Sequence, residues 1–169
     1  MTADAARSFD AFYRGTSRRV LGYAYALTGD LADAQDLTQE AYVRAWQHWS
    51  RISSYESAEV WLRTVLFHLA TDRWRRVTVR RLFAARQRPP ADVPPPSEDT
   101  LLVVSLLRSL PVDQRRALAL HYLLDRPVEE IAVEVGAPVG TVKSWLSRGR
   151  SALSASLSVS LSVKGASDA

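Results

Sequence analysis

Seven side chains near the end of the chain, Thr141, Lys143, Ser144, Trp145, Ser147, Arg148 and Arg150, combine hydrogen-bonding and cationic groups at spacings one helix can present together. Lysine, arginine, serine and threonine are the donors that meet base edges and phosphates in the DNA major groove. The seven fall inside residues 127–150, PVEEIAVEVGAPVGTVKSWLSRGR, whose pattern fits a helix-turn-helix. Ala132 supplies the small residue where two helices cross, and Gly136 supplies a turn position with positive φ. Val139, Val142 and Leu146 are spaced to pin the second helix onto the first. A plain helical hairpin with a basic outer face is the competing reading of these residues.

A second set joins rings and cations. Trp46, Trp49, Tyr55, Trp61, Phe67 and Trp74 lead into an acid-free run that holds seven arginines, Arg73, Arg75, Arg76, Arg80, Arg81, Arg86 and Arg88. Exposed rings beside a cationic groove suit single-stranded DNA, because bases stack on rings while arginines follow phosphates. Many of the rings can equally be core. Trp61, Val65 and Leu69 share four-residue spacing and read as buried, which leaves one or two tryptophans for DNA. The arginine run also fits a solvated helix face in a chain with only two lysines. Ahead of it, Asp33, Asp36, Gln39 and Glu40 form an acidic stripe that lacks the glycine and spacing of a metal loop. The stripe reads as a protein-docking face or a solvated one. His48, His68 and His121 stand apart, and no HExxH, GxSxG or Walker pattern occurs. The sequence therefore points away from catalysis, and no cofactor or metal is expected.

These residues need elements to position them, and composition limits the choice. The chain has 169 residues, 22 Lys+Arg against 18 Asp+Glu, 47% hydrophobic residues and no cysteine. Without cysteine there is no disulfide framework and no thiol nucleophile. The first residues, MTADAARSFDAFYRG, have no apolar signal core, and no apolar run approaches the ~18 residues of a membrane span. A soluble, cytoplasmic protein with no membrane insertion is expected. Residues 87–98, QRPPADVPPPSE, hold five of the eight prolines and read as a flexible, extended linker. The expected fold is all-α, with two small helical domains over 5–86 and 99–157 and a low-complexity tail over 158–169.

In the first domain, Phe9, Phe12, Tyr13, Val20, Tyr23, Ala24 and Leu27 recur at helical spacing, and Thr28-Gly29 ends the helix. Asp30 is the expected N-cap of the next, along which Leu31, Ala34, Leu37, Ala41 and Ala45 make one stripe. Residues 49–56 read as irregular, and a third helix begins near Ser57. The second domain reads as helices over 100–110, 112–124 and 127–135, with a last helix from Val139. Its end, LSASLSVSLSV, alternates with a strand-like period; without a partner sheet it is expected to be a fraying helix end and then tail.

Four stretches together resemble a known family: LADAQDLTQEAYVRAW (31–46), WLRTVLFHLATDRWRR (61–76), SLPVDQRRALALHYLLD (109–125) and VGTVKSWLSRGRSAL (139–153). The chain resembles bacterial RNA polymerase sigma factors of the extracytoplasmic-function type, in wording closest to actinobacterial members, over roughly residues 8–156. The resemblance implies a promoter-specificity subunit. Asp33, Asp36, Gln39 and Glu40 would then dock on the clamp helices of the polymerase β′ subunit. Tyr55, Trp61, His68, Arg73, Trp74, Arg75, Arg76 and Arg80 would melt and hold the promoter −10 element. Thr141–Arg150 would read the −35 element, with the second domain against the β flap, and an anti-sigma factor would be a further partner. His68 stands where relatives usually carry asparagine, and Trp145 where they commonly carry arginine; losing that cation should weaken a phosphate or base contact. A free-standing helix-turn-helix repressor leaves the acidic stripe and the proline spacer without a purpose. A sigma mimic that titrates an anti-sigma factor should have lost its DNA-facing charge, which this chain keeps.

Overall fold

The computed structural model describes residues 2–80 and 97–167, with side chains omitted for 77–80 and 164–167. Among the described residues the secondary structure is helical, with no strand. The chain divides into two compact units, Met1–Val93 and Pro94–Ala169. Most of the proline-rich segment, residues 87–96, lies outside the described residues, as do Arg81, Arg86 and Arg88.

The first unit contains α1 (Ala3–Thr28), α2 (Leu31–Gln47), the single turn α3 (Trp49–Ile52) and α4 (Ala58–Arg80). Gly29 ends α1 at φ 69°, and its N–H donates to the Tyr25 carbonyl at 2.9 Å. That left-handed position suits glycine, which has no Cβ to clash. Asp30 starts α2 by accepting from the Asp33 N–H at 2.8 Å. The two caps make a sharp corner, so α2 folds back along α1. Val20, Tyr23, Ala24 and Leu27 of α1 are buried against Ala34, Leu37, Ala41 and Ala45 of α2 and Leu62, Leu66 and Leu69 of α4. Three alanines of α2 are fully buried, and their small side chains let the neighbouring backbones approach. The buried row of α4 is therefore Leu62–Leu66–Leu69, one residue off the expected Trp61–Val65–Leu69 row; Trp61 and Val65 are only partly covered. Residues 49–52, expected to be irregular, form α3, which buries Trp49 and Ile52.

One of the most deeply buried side chains of this unit is charged. Arg63 is 1% exposed and donates to Glu59 at 2.9 Å, while Arg19 Nε donates to the same carboxylate at 2.8 Å. Nearby, Thr16 gives its only hydroxyl hydrogen to the Phe12 carbonyl, so the Tyr42 phenol is the donor in their 2.6 Å contact. Burial pushes the Tyr42 phenol up to about 12, which keeps that hydrogen in place. An aromatic cluster closes the open end of α1: Phe9 meets Trp46 at 4.9 Å and Trp49 at 5.2 Å, and Tyr13 meets Tyr42 at 4.8 Å.

The second unit contains α5 (Glu98–Arg108), α6 (Val112–Leu118), a π-helical segment (Ala119–Leu123), α7 (Val128–Val135) and α8 (Val139–Ser167). Ser97 caps α5 by accepting from the Thr100 N–H at 3.2 Å. The helix thus starts inside the expected linker span. Arg115 finishes α5 by donating to the Leu107, Arg108 and Leu110 carbonyls, at 2.9, 3.1 and 2.9 Å. Pro127 leads into α7 and Gly136 ends it at φ 69°, with Val142 and Leu146 of α8 buried beyond the turn.

Gly149 is needed for a different reason: a Cβ there would lie 2.7 Å from Leu118 Cδ1 in the buried seam between α6 and α8. Gly140, on the same helix, has open space. Gly140→Ala is expected to stabilise the chain by about 0.4–1 kcal/mol through lost unfolded-state freedom. Gly149→Ala is expected to lower the thermal midpoint, because overpacking of about 1–3 kcal/mol exceeds that gain. Thermal denaturation of the two variants checks the pair of opposite signs.

The tail corrects an expectation. Instead of fraying, α8 continues through Ser167. Its early turns are fixed by buried Val142 and Leu146, so each added residue extends an existing helix without a new nucleus. Ser158, Ser160 and Ser162 donate to the carbonyls four residues back, at 2.9, 3.0 and 2.9 Å, and so keep their hydroxyls on the helix itself.

Candidate nucleic-acid and polymerase interfaces

The helix-turn-helix is built as its sequence implies. Ala132 is 7% exposed at the crossing, and its carbonyl accepts from the Gly136 N–H and from Ala137 at 3.1 Å. With Val142, Leu146 and Gly149 turned inward, α8 leaves Lys143, Ser147, Arg148 and Arg150 exposed. Thr141 and Trp145 are partly covered at the edge of that face, and Ser144 is partly covered within it. No acid occurs along α8, so the exposed face carries one sign of charge. This suits a phosphate-lined groove.

On α4, the side chains outside the core form a second face. Trp61 is partly buried, with His48 at 6.1 Å between ring centroids, and His68, Arg75 and Arg76 are exposed. At roughly 100° per residue, Trp61, His68, Arg75 and Arg76 fall in one sector of the helix. Tyr55, 42% exposed, sits in the loop that enters α4 and donates its N–H to the Ile52 carbonyl at 3.0 Å. Trp74 is 66% exposed but points about 140° away from the Trp61 direction, so the structure does not bring it to that face. Trp49 belongs to the aromatic cluster, donating from Nε1 to Ser8 Oγ at 2.8 Å. The side chain of Arg80 lies outside those described.

Arg73 is placed differently from its neighbours. Its guanidinium lies 2.9 Å from Asp33 and 3.6 Å from Asp36, tying α4 to α2. The pattern carries the signal for this: Arg73 follows Leu62, Leu66 and Leu69 by 11, 7 and 4 residues and therefore continues the core row. Arg73→Ala is expected to cost the first unit about 1 kcal/mol, the scale of a partly exposed ion pair, in chemical denaturation. It reaches a DNA strand only by leaving the two carboxylates.

The acidic stripe lies on the outward side of α2. Asp36, Gln39 and Glu40 are exposed, Asp33 is partly covered, and Glu40 pairs with Arg44 at 2.6 Å. Val43, 54% exposed, continues the same row and was not among the expected residues. Its i+3 spacing from Glu40 and i+7 from Asp36 was the available signal. A row of acids and an amide leading to an exposed valine fits a basic partner helix with some apolar surface.

Residues 12–80 match Sigma-70 region 2, and residues 100–153 match Sigma-70, region 4. The chain is 34% identical over 152 residues to the ECF RNA polymerase sigma factor SigC of Mycobacterium tuberculosis (strain CDC 1551 / Oshkosh), covering 87% of this chain and 82% of that protein. It is 33% identical over 143 residues to the RNA polymerase sigma-E factor of Streptomyces avermitilis, covering 83% and 79%. In fold it is similar to the sigma factor RpoE of Bartonella quintana, solved with the anti-sigma factor NepR, at TM-score 0.72 and 24% identity, covering 90% of this chain and 98% of that one. CnrH, solved with the cytosolic domain of CnrY, gives TM-score 0.68 and 22% identity over 93% and 94%. With both sigma-70 regions in order on one chain, and relatives of that identity matched over most of their length, this protein belongs to the extracytoplasmic-function RNA polymerase sigma factors, which direct promoter-specific transcription initiation.

Proposed function

We propose that the sigma activity is divided among three surfaces of this chain. Asp36, Gln39 and Glu40, with Asp33 beside them, dock on the β′ clamp helices of core RNA polymerase. Tyr55, Trp61, His68, Arg75 and Arg76, with Arg80 and a released Arg73, capture the −10 element as it opens; Trp74, directed away from that face, has no part in it. Lys143, Ser144, Ser147, Arg148 and Arg150, flanked by Thr141 and Trp145, read the −35 element. The proposed domains are 5–86 and 99–157, joined through 87–98, with the second domain on the β flap. The helical end of α8, 158–167, has no role in this scheme.

The observation that carries this reading is the difference in exposed charge between α2 and α4: Asp36 and Glu40 face outward on one helix, and on the other Arg75 and Arg76 are exposed and outnumber Asp72, the one acid in their sector. One surface is suited to a basic protein and the other to nucleic acid. Opening DNA requires a base to leave the stack, which costs a few kcal/mol that stacking on Trp61 or Tyr55 and phosphate contacts offset. An anti-sigma factor is a further proposed partner, since the Bartonella quintana relative was solved with one. The protein acts in the cytoplasm and has no catalytic activity of its own; no helix among the described residues is long and apolar enough to cross a membrane. The match to region 2 over residues 12–80 favours this reading over a repressor that uses the helix-turn-helix alone.

Replacing Arg75 and Arg76 together by alanine is expected to slow promoter opening roughly tenfold or more, with core affinity unchanged, because charge-assisted contacts to the strand are lost. Open-complex formation on duplex and on pre-melted templates checks this. An equal loss on both means the arginines hold the strand, and a loss confined to the duplex means they act in melting. No loss on either removes the assignment.

A further inference from the structure

Tyr122 lies outside α8 and outside the three surfaces above, yet it touches the DNA-reading helix. It occupies the π-helical segment Ala119–Leu123, is 55% exposed, and its hydroxyl accepts from Arg150 Nη1 at 3.3 Å. π-Helical insertions are frequent at functional sites. Although exposed, the ring is held in place. His121 packs edge-on against it, with ring centroids 4.8 Å apart and planes at 81°. His121 in turn is fixed through Nδ1, 2.9 Å from the Arg126 carbonyl. A carbonyl only accepts, so Nδ1 carries the hydrogen of that contact. The turn that brings Arg126 back is closed by its N–H, which donates to the Leu120 carbonyl at 3.0 Å, and by Asp125 at φ 50°. Leu120 and Leu124 anchor both ends in the core.

The direction of the Tyr122–Arg150 hydrogen bond decides what the pair can bind. A guanidinium has donors only, so Arg150 takes a lone pair of the phenol and leaves the phenol hydrogen to be donated outward. Arg150 keeps four further N–H donors, and among the described residues no carboxylate pairs with it. A hydroxyl hydrogen and a cationic fork thus converge beside an acid-free helix. The complementary ligand is an anion with two acceptor oxygens, and on the side of α8 that also carries exposed Lys143, seven residues earlier, that is a phosphodiester of the duplex backbone.

We infer that Tyr122 and Arg150 form one phosphodiester-binding site that clamps the promoter duplex beside the bases read by α8. The inference rests on the assignment of α8 to the −35 element. The site is supplied by two elements, the π segment and α8, so it fixes the orientation of the reading helix on the groove. The phenol does this without adding charge.

The test uses holoenzyme assembled from core polymerase and the full chain, on a duplex that includes the −35 element. Tyr122→Phe removes only the hydroxyl and is expected to weaken duplex binding about three- to tenfold. Arg150→Ala is expected to weaken it further and to lower the salt slope by about 1, which Tyr122→Phe, a neutral change, leaves unaltered. The double variant should bind no worse than Arg150→Ala, since the hydroxyl acts only together with the guanidinium. A scan with single methylphosphonate linkages should find one position whose neutralisation weakens the unaltered protein and leaves the double variant unaffected. Wild-type affinity for Tyr122→Phe, full additivity with Arg150→Ala, or no such linkage would each overturn the site. If Lys143→Ala and Arg148→Ala bind normally as well, the −35 assignment of α8 fails and the site falls with it. If those two bind weakly and Tyr122→Phe does not, the site alone is lost. Should Tyr122→Phe weaken a protein partner and leave DNA binding alone, the anion is a carboxylate and the DNA site is wrong.

Discussion

Charge reversal at Asp36 and Glu40, each to lysine, is expected to weaken the chain's binding to core RNA polymerase about a hundredfold or more. Juxtaposed like charges at an interface cost several kcal/mol, and each 1.4 kcal/mol is tenfold in affinity. The fold should survive, because both side chains are exposed and the buried side of α2 is untouched. Asp33 still holds Arg73 at 2.9 Å when Asp36 is gone. The Glu40–Arg44 contact at 2.6 Å is an i,i+4 pair worth about 0.3–0.5 kcal/mol, so breaking it barely opposes docking. Fluorescence anisotropy of labelled protein with core polymerase, beside circular dichroism of the variant, checks the expectation. Undiminished affinity with normal helicity would remove the docking surface from α2.

The largest expected effect on stability is at a residue that touches neither DNA nor polymerase in this account. Glu59→Ala should destabilise the first unit by about 3–5 kcal/mol, because it leaves a buried guanidinium without its carboxylate. Arg63 is 1% exposed and Glu59 holds it at 2.9 Å, so water cannot replace the lost partner. Arg19 loses the same carboxylate but is half exposed, so its share is small. Replacing both members, Glu59→Leu with Arg63→Met, should recover most of the loss, since an apolar pair of similar volume removes the buried charge as well as its partner. Urea denaturation followed by circular dichroism gives both numbers. A loss under about 1 kcal/mol for Glu59→Ala would show that Arg63 finds solvent and that the pair is not a core element.

Sequence periodicity recovered the elements whose ends carry strong local chemistry. Gly29 followed by Asp30 marked the corner between α1 and α2, and Gly136 with Pro138 marked the turn of the helix-turn-helix. Both are positions where backbone conformation restricts residue type, so the residues report the geometry directly. The row of α4 was harder, because Trp61, Val65 and Leu69 and the adjacent Leu62, Leu66 and Leu69 are both apolar and share a member. Only packing against the alanine stripe of α2 selects the second. Arg73 looks solvent-directed by type, yet it continues the buried face and finds its carboxylates on α2, distant in sequence. Arg63, buried against Glu59 one turn away, was not among the expected residues. Tail alternation suggested a strand period, and a helix already nucleated in the core overrode it. Tyr122 was hidden for a different reason: a π segment changes which residues face outward, and no simple period reports that.

The proposed surfaces were legible to the extent that they consist of exposed, like-charged rows. Lys143, Ser147, Arg148 and Arg150 follow from helical spacing alone, as do Asp36, Gln39 and Glu40. What spacing could not supply was the pairing between rows, which makes Arg73 a tie between α2 and α4 and joins Arg150 to the π segment.

The central claim, that this chain confers promoter-specific initiation on RNA polymerase, is tested most directly by run-off transcription with sigma-free core polymerase on DNA from upstream of the protein's own gene. A discrete transcript is expected that requires the protein and is lost when Asp36 and Glu40 are reversed in charge. Absence of any transcript, together with tight binding of the duplex by the protein alone, would contradict it and identify a free-standing DNA-binding regulator.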